Sequence, residues 1–212
     1  MKNGSRGFTL LELMIVVTLA AVVLGIGIPS FREFLRNNKM ASVANDLLGG
    51  IQTARTEAIK RQLPTGGIAV CPSNNPDSAD ATCLAASTRN FDGWIAFVDA
   101  DNNCVRDTTK DSGVYREPLV RTGARTDKDN TATSYVKSIS NGDCISFAPT
   151  GFMRTVAGHT SATRIMFCDE RGNIVQPGMK ISLVRGIDVT TTGRARITRD
   201  VTEISSFGVT CP

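Results

Sequence analysis

Apolar residues run without interruption from Phe8 to Ile28, FTLLELMIVVTLAAVVLGIGI, and the only charge among them is Glu12. At about 1.5 Å per residue, a helix of that length spans roughly 30 Å, the thickness of a bilayer's hydrocarbon core. Beyond Pro29 the chain keeps a helical period but turns amphipathic. Met40, Val43, Ala44, Leu47, Leu48, Ile51, Ala54 and Ala58 fall on one face, while Arg32, Glu33, Arg36, Lys39, Asp46, Arg55, Glu57, Lys60 and Arg61 lie largely off it. The pattern predicts one long helix ending near Gln62. Gly25, Gly27 and Pro29 soften or bend its apolar half. Gly49-Gly50 is a weak spot in its amphipathic half, Leu63-Pro64 stops it, and Thr65-Gly66-Gly67 turns the chain.

From about residue 66 the period changes. Short runs rich in Val, Ile, Phe and Thr alternate with Gly, Asn, Asp and Pro clusters. The runs at 68–71, 94–99, 144–149, 163–168, 180–184 and 195–199 read as strands. No helical period of useful length returns. The polar stretches 72–90 and 106–133 read as long surface loops. The expectation is α+β: a single β-rich globular head, 63–212, packed on an amphipathic helix, 29–62, that continues an apolar helix, 8–28.

The residues before the apolar run, MKNGSRG, are short and basic. Three readings follow. A secretory signal removed after the apolar run lacks a small-x-small site followed by polar mature sequence. A plain membrane anchor leaves Glu12 unexplained, since a lone carboxylate in such a segment is costly. A leader cut on the polar side, between Gly7 and Phe8, accounts for both. Arg6-Gly7-Phe8-Thr9-Leu10-Leu11-Glu12 resembles the signature of type IV pilins and pseudopilins: a basic residue, Gly, an aromatic or apolar residue, Thr-Leu, and then a Glu. The resemblance implies that prepilin peptidase removes residues 1–7 and that the new Phe8 amine is methylated. Loss of Lys2 and Arg6 then lowers the formal charge from +4 to +2. It also implies that Glu12 meets the N-terminal amine of a neighbouring subunit, because a charge buried in an apolar filament core needs a partner. The other role open to Glu12 is to snorkel to the lipid surface.

Further pieces narrow the resemblance. Arg55-Thr56-Glu57-Ala58-Ile59, Gly93-Trp94-Ile95-Ala96-Phe97-Val98-Asp99, Ile145-Ser146-Phe147-Ala148-Pro149-Thr150-Gly151 and Gly193-Arg194-Ala195-Arg196 occur in that order and resemble the GspH/FimT branch of minor pilins and pseudopilins. The branch implies a long N-terminal helix under two mainly antiparallel sheets. It implies a single-pass inner-membrane protein with a periplasmic head, later part of a pilus or pseudopilus at the cell surface. The implied partners are prepilin peptidase, the inner membrane, and major and other minor pilins.

Six cysteines remain after the leader: Cys71, Cys83, Cys104, Cys144, Cys168 and Cys211. None forms a C-x-x-C pair and the only histidine is His159, so zinc spacing is missing and no metal site is expected. An even count in a domain outside the inner membrane reads as disulfides. The preferred pairs are Cys71–Cys83 across a polar loop and Cys144–Cys168 between neighbouring strands, which leaves Cys104 with Cys211. Buried free thiols are the alternative.

No catalytic arrangement, cofactor motif or small-molecule substrate site is legible, so an enzyme is not expected. His159, in Ala157-Gly158-His159-Thr160-Ser161, reads as a solvated turn residue. Asp99, Asp101 and Asn103 have the alternate spacing of calcium ligands, but Cys104 stands where the tight turn wants Gly and Lys110 where the closing Glu belongs. A plain Asp/Asn turn is the better reading. Thr190-Thr191-Thr192-Gly193-Arg194-Ala195-Arg196-Ile197-Thr198-Arg199 reads as strand, turn, strand. Gly193 suits a positive φ or a close backbone approach. Arg194 and Arg196 point to one side of an extended chain, and Arg199 to the other unless a bulge or twist redirects it. With the threonine hydroxyls they form either a phosphate clamp or a solvated basic hairpin, and Lys180 and Arg185 extend the patch. The Gly-Arg-x-Arg turn resembles the motif with which FimT-type minor pilins bind DNA in natural transformation. That resemblance implies non-specific contacts to about two to four phosphates through Gly193, Arg194 and Arg196. A purely structural pilin or secretion pseudopilin is the alternative.

We expect Glu12→Ala and Glu12→Gln each to reduce incorporation into filaments. Normal incorporation of both would count against the pairing role.

Overall fold

The computed structural model describes residues 7–108, 118–123, 136–172 and 180–211. Helix α1, Leu10–Arg61, begins at Thr9. The Thr9 hydroxyl accepts the Glu12 amide at 3.2 Å and its carbonyl accepts the Leu13 amide at 3.1 Å. Thr9-x-x-Glu12 therefore has the spacing of a capping box, and Glu12 sits in the first turn, where the unpaired amides favour an anion. Gly25, Gly27 and Pro29 lie inside the helix and do not end it. The chain divides into two compact units, 1–38 and 39–212. In the first, residues 7–35 are all exposed, and the segment is long and apolar enough to cross a membrane.

The second unit carries nine described strands: β1 Gly67–Pro72, β2 Trp94–Asp99, β3 Leu119–Gly123, β4 Lys137–Ser140, β5 Ile145–Phe147, β6 Met153–Arg154, β7 Arg164–Cys168, β8 Ile181–Val189 and β9 Ala195–Asp200. A five-residue helix, α2 Val201–Ser205, follows. The strands form two antiparallel sheets ordered β3-β2-β1-β5-β6 and β4-β7-β8-β9. Both sheets and the 39–61 part of α1 share one core. Met40, Ala44, Leu47, Ile51, Ala54 and Ala58 meet Ile68, Val70, Ala96, Ile145 and Phe147 of the first sheet and Ile165, Phe167, Ile187 and Val189 of the second.

The central strands are buried on both faces, which explains their continuous apolar runs. Ala69, Cys71, Ile95 and Phe97 point away from the helix into a second cluster with Ala81, Cys104, Cys144 and Val156. Behind the other sheet, Met166, Cys168 and Val184 meet Ile204 of α2 and Phe207. The polar stretch 72–90 thus lies over a sheet face and is held by backbone bonds such as Leu84 N to Pro72 O at 2.8 Å.

The strands absent from the sequence reading are β3, β4 and β6, and each is a sheet edge. β3 falls inside the expected loop 106–133, so that loop is shorter than expected; 109–117 and 124–135 lie outside the described residues. Such short strands are specified by their neighbours' free backbone groups more than by their own hydrophobicity. β8 also extends past the expected 184 to Val189.

The cysteine pairing differs in two of three bridges. Cys71–Cys83 forms as expected, but the others are Cys104–Cys144 and Cys168–Cys211. Cys144 precedes β5 in one sheet and Cys168 ends β7 in the other, so they were never neighbours. Each bridge instead ties a loop or tail to an outer sheet face.

The expected weakness at Gly49-Gly50 is also corrected. Gly50 is buried, and a Cβ there would lie 2.1 Å from Cη2 of Trp94. The helix needs glycine to let the indole approach. Arg121 of β3 lies over that ring, 5.9 Å from Cζ to the centroid, and donates to Asp46 Oδ1 of α1 at 2.9 Å. We expect Gly50→Ala to cost about 1–3 kcal/mol by overpacking. Gly49→Ala, which meets only the end of the flexible Arg121 side chain, should be neutral or stabilising. Equal denaturation midpoints for the two variants would refute this packing.

Candidate functional site

The β8–β9 turn gathers most of the residues singled out by sequence. Val189 ends β8 and Ala195 begins β9. Between them the Gly193 amide donates to Thr190 O at 2.8 Å and the Thr190 amide to Arg194 O at 2.9 Å. The Thr190 hydroxyl is committed inside the turn. It accepts the Arg194 amide at 3.2 Å and lies 2.9 Å from the Thr192 hydroxyl.

Gly193 has φ 78°, and a Cβ there would stand 2.1 Å from the carbonyl oxygen of Gly151. The close approach required of this glycine is therefore to another turn of the same chain. Arg55 of α1 joins the two turns, with Nε donating to Gly151 O at 3.0 Å and Nη2 to Thr192 O at 3.2 Å. The Met153 amide adds a bond to Thr191 O at 3.0 Å. Three sequence pieces read separately, around Arg55, Gly151 and Gly193, converge on one junction.

Arg194 follows this junction, is exposed, and has no side-chain partner among the described residues. Arg196 differs. Ala195 and Ile197 pack against the shared core, so Arg196 and Thr198 project from the opposite face. There Arg196 donates from Nη1 to Glu203 Oε2 at 3.1 Å and from Nη2 to Glu203 Oε1 at 3.0 Å. Its Nε lies 3.5 Å from Oδ2 of Asp188, the cross-strand partner. The Thr198 hydroxyl adds a bond to Glu203 Oε2 at 2.5 Å. Arg196's hydrogen bonds, followed by that of Thr198, hold the Glu203 carboxyl below its ordinary value, and Glu203 raises Arg196 in turn.

The rest of the expected basic patch does not assemble. Arg185 is buried and donates to Leu183 O at 2.9 Å, and burial lowers its affinity for a proton, so it cannot extend the patch. Arg199 lies where the β8–β9 register shifts, and its Nε donates to Ser182 O at 3.2 Å. Lys180 is exposed just before β8.

Glu203, Asp188 and Arg55 were not singled out for this site by sequence. A signal for Glu203 was present, because Asp200-x-x-Glu203 has capping-box spacing. Asp200 does cap α2, accepting the Thr202 and Glu203 amides at 2.8 and 3.3 Å. Five residues are too few to show a helical period.

The other candidates resolve as structural. His159 is half-buried and pairs through Nδ1 with Asp143, a buried carboxylate, so it is not a solvated turn residue. Asp99 is buried, accepts the Asn103 and Cys104 amides at 3.0 and 3.3 Å, and has its pKa raised chiefly by burial. The Asn103 side-chain amide is bound to Asp101 at 2.7 Å. These contacts are those of an Asp/Asn turn; Lys110 lies outside the described residues. Among the described residues no His, Cys, Asp or Glu cluster is placed to hold a metal.

An exposed apolar N-terminal helix that turns amphipathic and joins a disulfide-bonded head of two antiparallel sheets defines the class of pilins and pseudopilins. The chain belongs to the GspH family: residues 43–193, more than half its length, match the family described as Type II transport protein GspH. Residues 2–28 match the prokaryotic N-terminal methylation motif. The chain is 36% identical over 69 residues to Prepilin peptidase-dependent protein D of Escherichia coli (strain K12), a match covering 32% of this chain and only 44% of that protein. It is 24% identical over 143 residues to Fimbrial protein EcpC of Eikenella corrodens, covering 68% of this chain and 88% of that one. The type IV minor pilin FimU of Pseudomonas aeruginosa (strain PAO1) aligns with a TM-score of 0.38 at 13% identity, covering 74% of this chain and 91% of that one.

The junction makes its own demand on stability. We expect Gly193→Ala to cost about 1–3 kcal/mol, because it adds backbone strain at positive φ and a clash with a carbonyl that cannot swing away. Arg55→Ala should destabilise the same turns. Wild-type midpoints for both in denaturant unfolding would overturn the junction.

Proposed function

We propose that this chain is a minor type IV pilin, cut by prepilin peptidase after Gly7 and methylated at Phe8. It enters a pilus through the 8–28 helix and binds DNA without sequence preference at the Arg194 turn, in support of DNA uptake. The inner membrane holds it before assembly, with the head in the periplasm, and Glu12 pairs with a neighbouring subunit's amine in the filament. The observation that carries the DNA reading is Arg194: an exposed guanidinium without a side-chain partner among the described residues, beside a turn anchored by Arg55 and Gly151. Its planar fork suits a phosphate, and a contact to backbone phosphate does not read sequence. The resemblance of Gly193-Arg194-Ala195-Arg196 to the FimT motif supplies the rest.

A second reading, a structural pilin or secretion pseudopilin that touches no DNA, is favoured by a specific observation. Gly193 is required by its packing on Gly151, and Arg196 is held by Glu203 and Asp188. Both residues therefore have a role in the fold that needs no ligand.

The full-length chain in detergent micelles should retard duplexes of unrelated sequence equally. Each neutralised phosphate steepens the plot of log affinity against log salt by about 0.9. Arg194→Gln should flatten it by about one, and Arg194→Gln with Arg196→Gln should abolish binding while losing no more stability than an exposed ion pair supplies, about 1 kcal/mol. In a strain carrying the double variant, DNA uptake should fall with piliation intact. A double variant that binds DNA like wild type leaves the structural reading.

A further inference from the structure

The donors most suited to a second phosphate already grip an anion. Arg196 Nη1 and Nη2 and the Thr198 hydroxyl converge on the single carboxylate of Glu203. Paired guanidinium donors with a hydroxyl form the geometry by which proteins grip a phosphate's oxygens. Glu203 stands on α2, which Asp200 caps and the Ile204 and Phe207 contacts hold against the outer face of the second sheet. The pair is surface-exposed, with 56% of the Arg196 side chain and 38% of the Glu203 side chain accessible. Exposed pairs are weak and exchange readily with a competing anion. Asp188, at 3.5 Å, adds a second negative charge beside the same guanidinium.

We propose that Arg196 and Thr198 form a phosphate subsite beside Arg194, that the Glu203 carboxylate occupies it as an internal stand-in for phosphate, and that this contact holds the affinity of the turn for nucleic acid low. This rests on the DNA reading above. A DNA phosphate arriving next to Arg194 competes with Glu203 for Arg196. Arg194 makes the first contact, and the second requires the carboxylate to let go. The two arginines of the motif thus have unequal roles.

The test compares the full-length chain with Glu203→Gln, Arg196→Gln and the double variant, using duplexes of unrelated sequence over a salt series, with thermal unfolding of each. Glu203→Gln keeps a hydrogen-bond acceptor for Arg196 and leaves the Asp200 cap intact. It should bind DNA about threefold to tenfold more tightly, with a salt slope steeper by about one. The gain should vanish in the double variant, because without Arg196 there is no subsite to release. Unchanged affinity in Glu203→Gln, while Arg194→Gln still weakens binding, overturns the inference and leaves the DNA reading standing. A gain that persists without Arg196 also overturns it, since general charge then explains the effect. If no protein in the set retards DNA, the DNA reading itself fails, and this inference fails with it.

Discussion

The guanidinium of Arg55 ties together the amphipathic helix and one turn from each sheet. One side chain from the end of the amphipathic helix donates to a carbonyl of the Gly151 turn in the first sheet and to a carbonyl of the Thr192 turn in the second. The sheets also share an apolar core, but apolar burial is non-directional and sets no register. Directional bonds from a rigid planar fork can do so. The two glycines complete the arrangement, because a side chain on Gly193 would meet the Gly151 carbonyl and one on Gly151 would meet Ile59 of the helix. The position of Arg194 follows from this junction. An exposed, unpartnered arginine on a loose hairpin would lose conformational entropy on binding, whereas a turn held from two sides is already ordered.

The same junction shows what the sequence could convey. The amphipathic stripe from Met40 to Ala58 was legible because the 3.6-residue period survives wherever a helix has one buried face. The central strands were legible as apolar runs because both of their faces are covered. β3, β4 and β6 were not: they are edge strands shorter than the legible edge β9, and so short an edge takes its conformation from its neighbour's backbone. The motif pieces could be seen, but not their convergence. Arg55 and Thr192 stand 137 positions apart, and no local pattern encodes such a contact. Two of the three disulfides were mispaired for a related reason, while the local Cys71–Cys83 bridge was legible. Strand membership was correct for Cys168, but which sheet each strand joins is a property of topology, and it decided the partners.

The basic patch failed differently, through charge that the strand pattern hides. Alternation along β9 says nothing about what arrives opposite each side chain. The acid came from α2, a few residues on, and from the cross-strand position of β8. Arg185 was read as extending the basic patch because it precedes the turn, and the sheet buries it. A count of arginines therefore overstates the positive field of this end of the molecule. Among the described residues of the turn itself, the unbalanced cation is Arg194.

A single unbalanced cation is a poor binding site in a free monomer, because one phosphate contact contributes little at moderate salt. The sequence pairs it with a segment suited to assembly, the apolar helix from Phe8 onward. If subunits in a filament present the turn repeatedly, or beside other binding pilins, the second contact becomes intramolecular and its effective concentration rises. Weakness per subunit then has a physical use. Under the DNA reading proposed above, each contact can be released as DNA moves along or through the assembly, while the array retains the strand. An intramolecular carboxylate on Arg196 serves that regime, since it keeps the individual contact weak without removing the arginine.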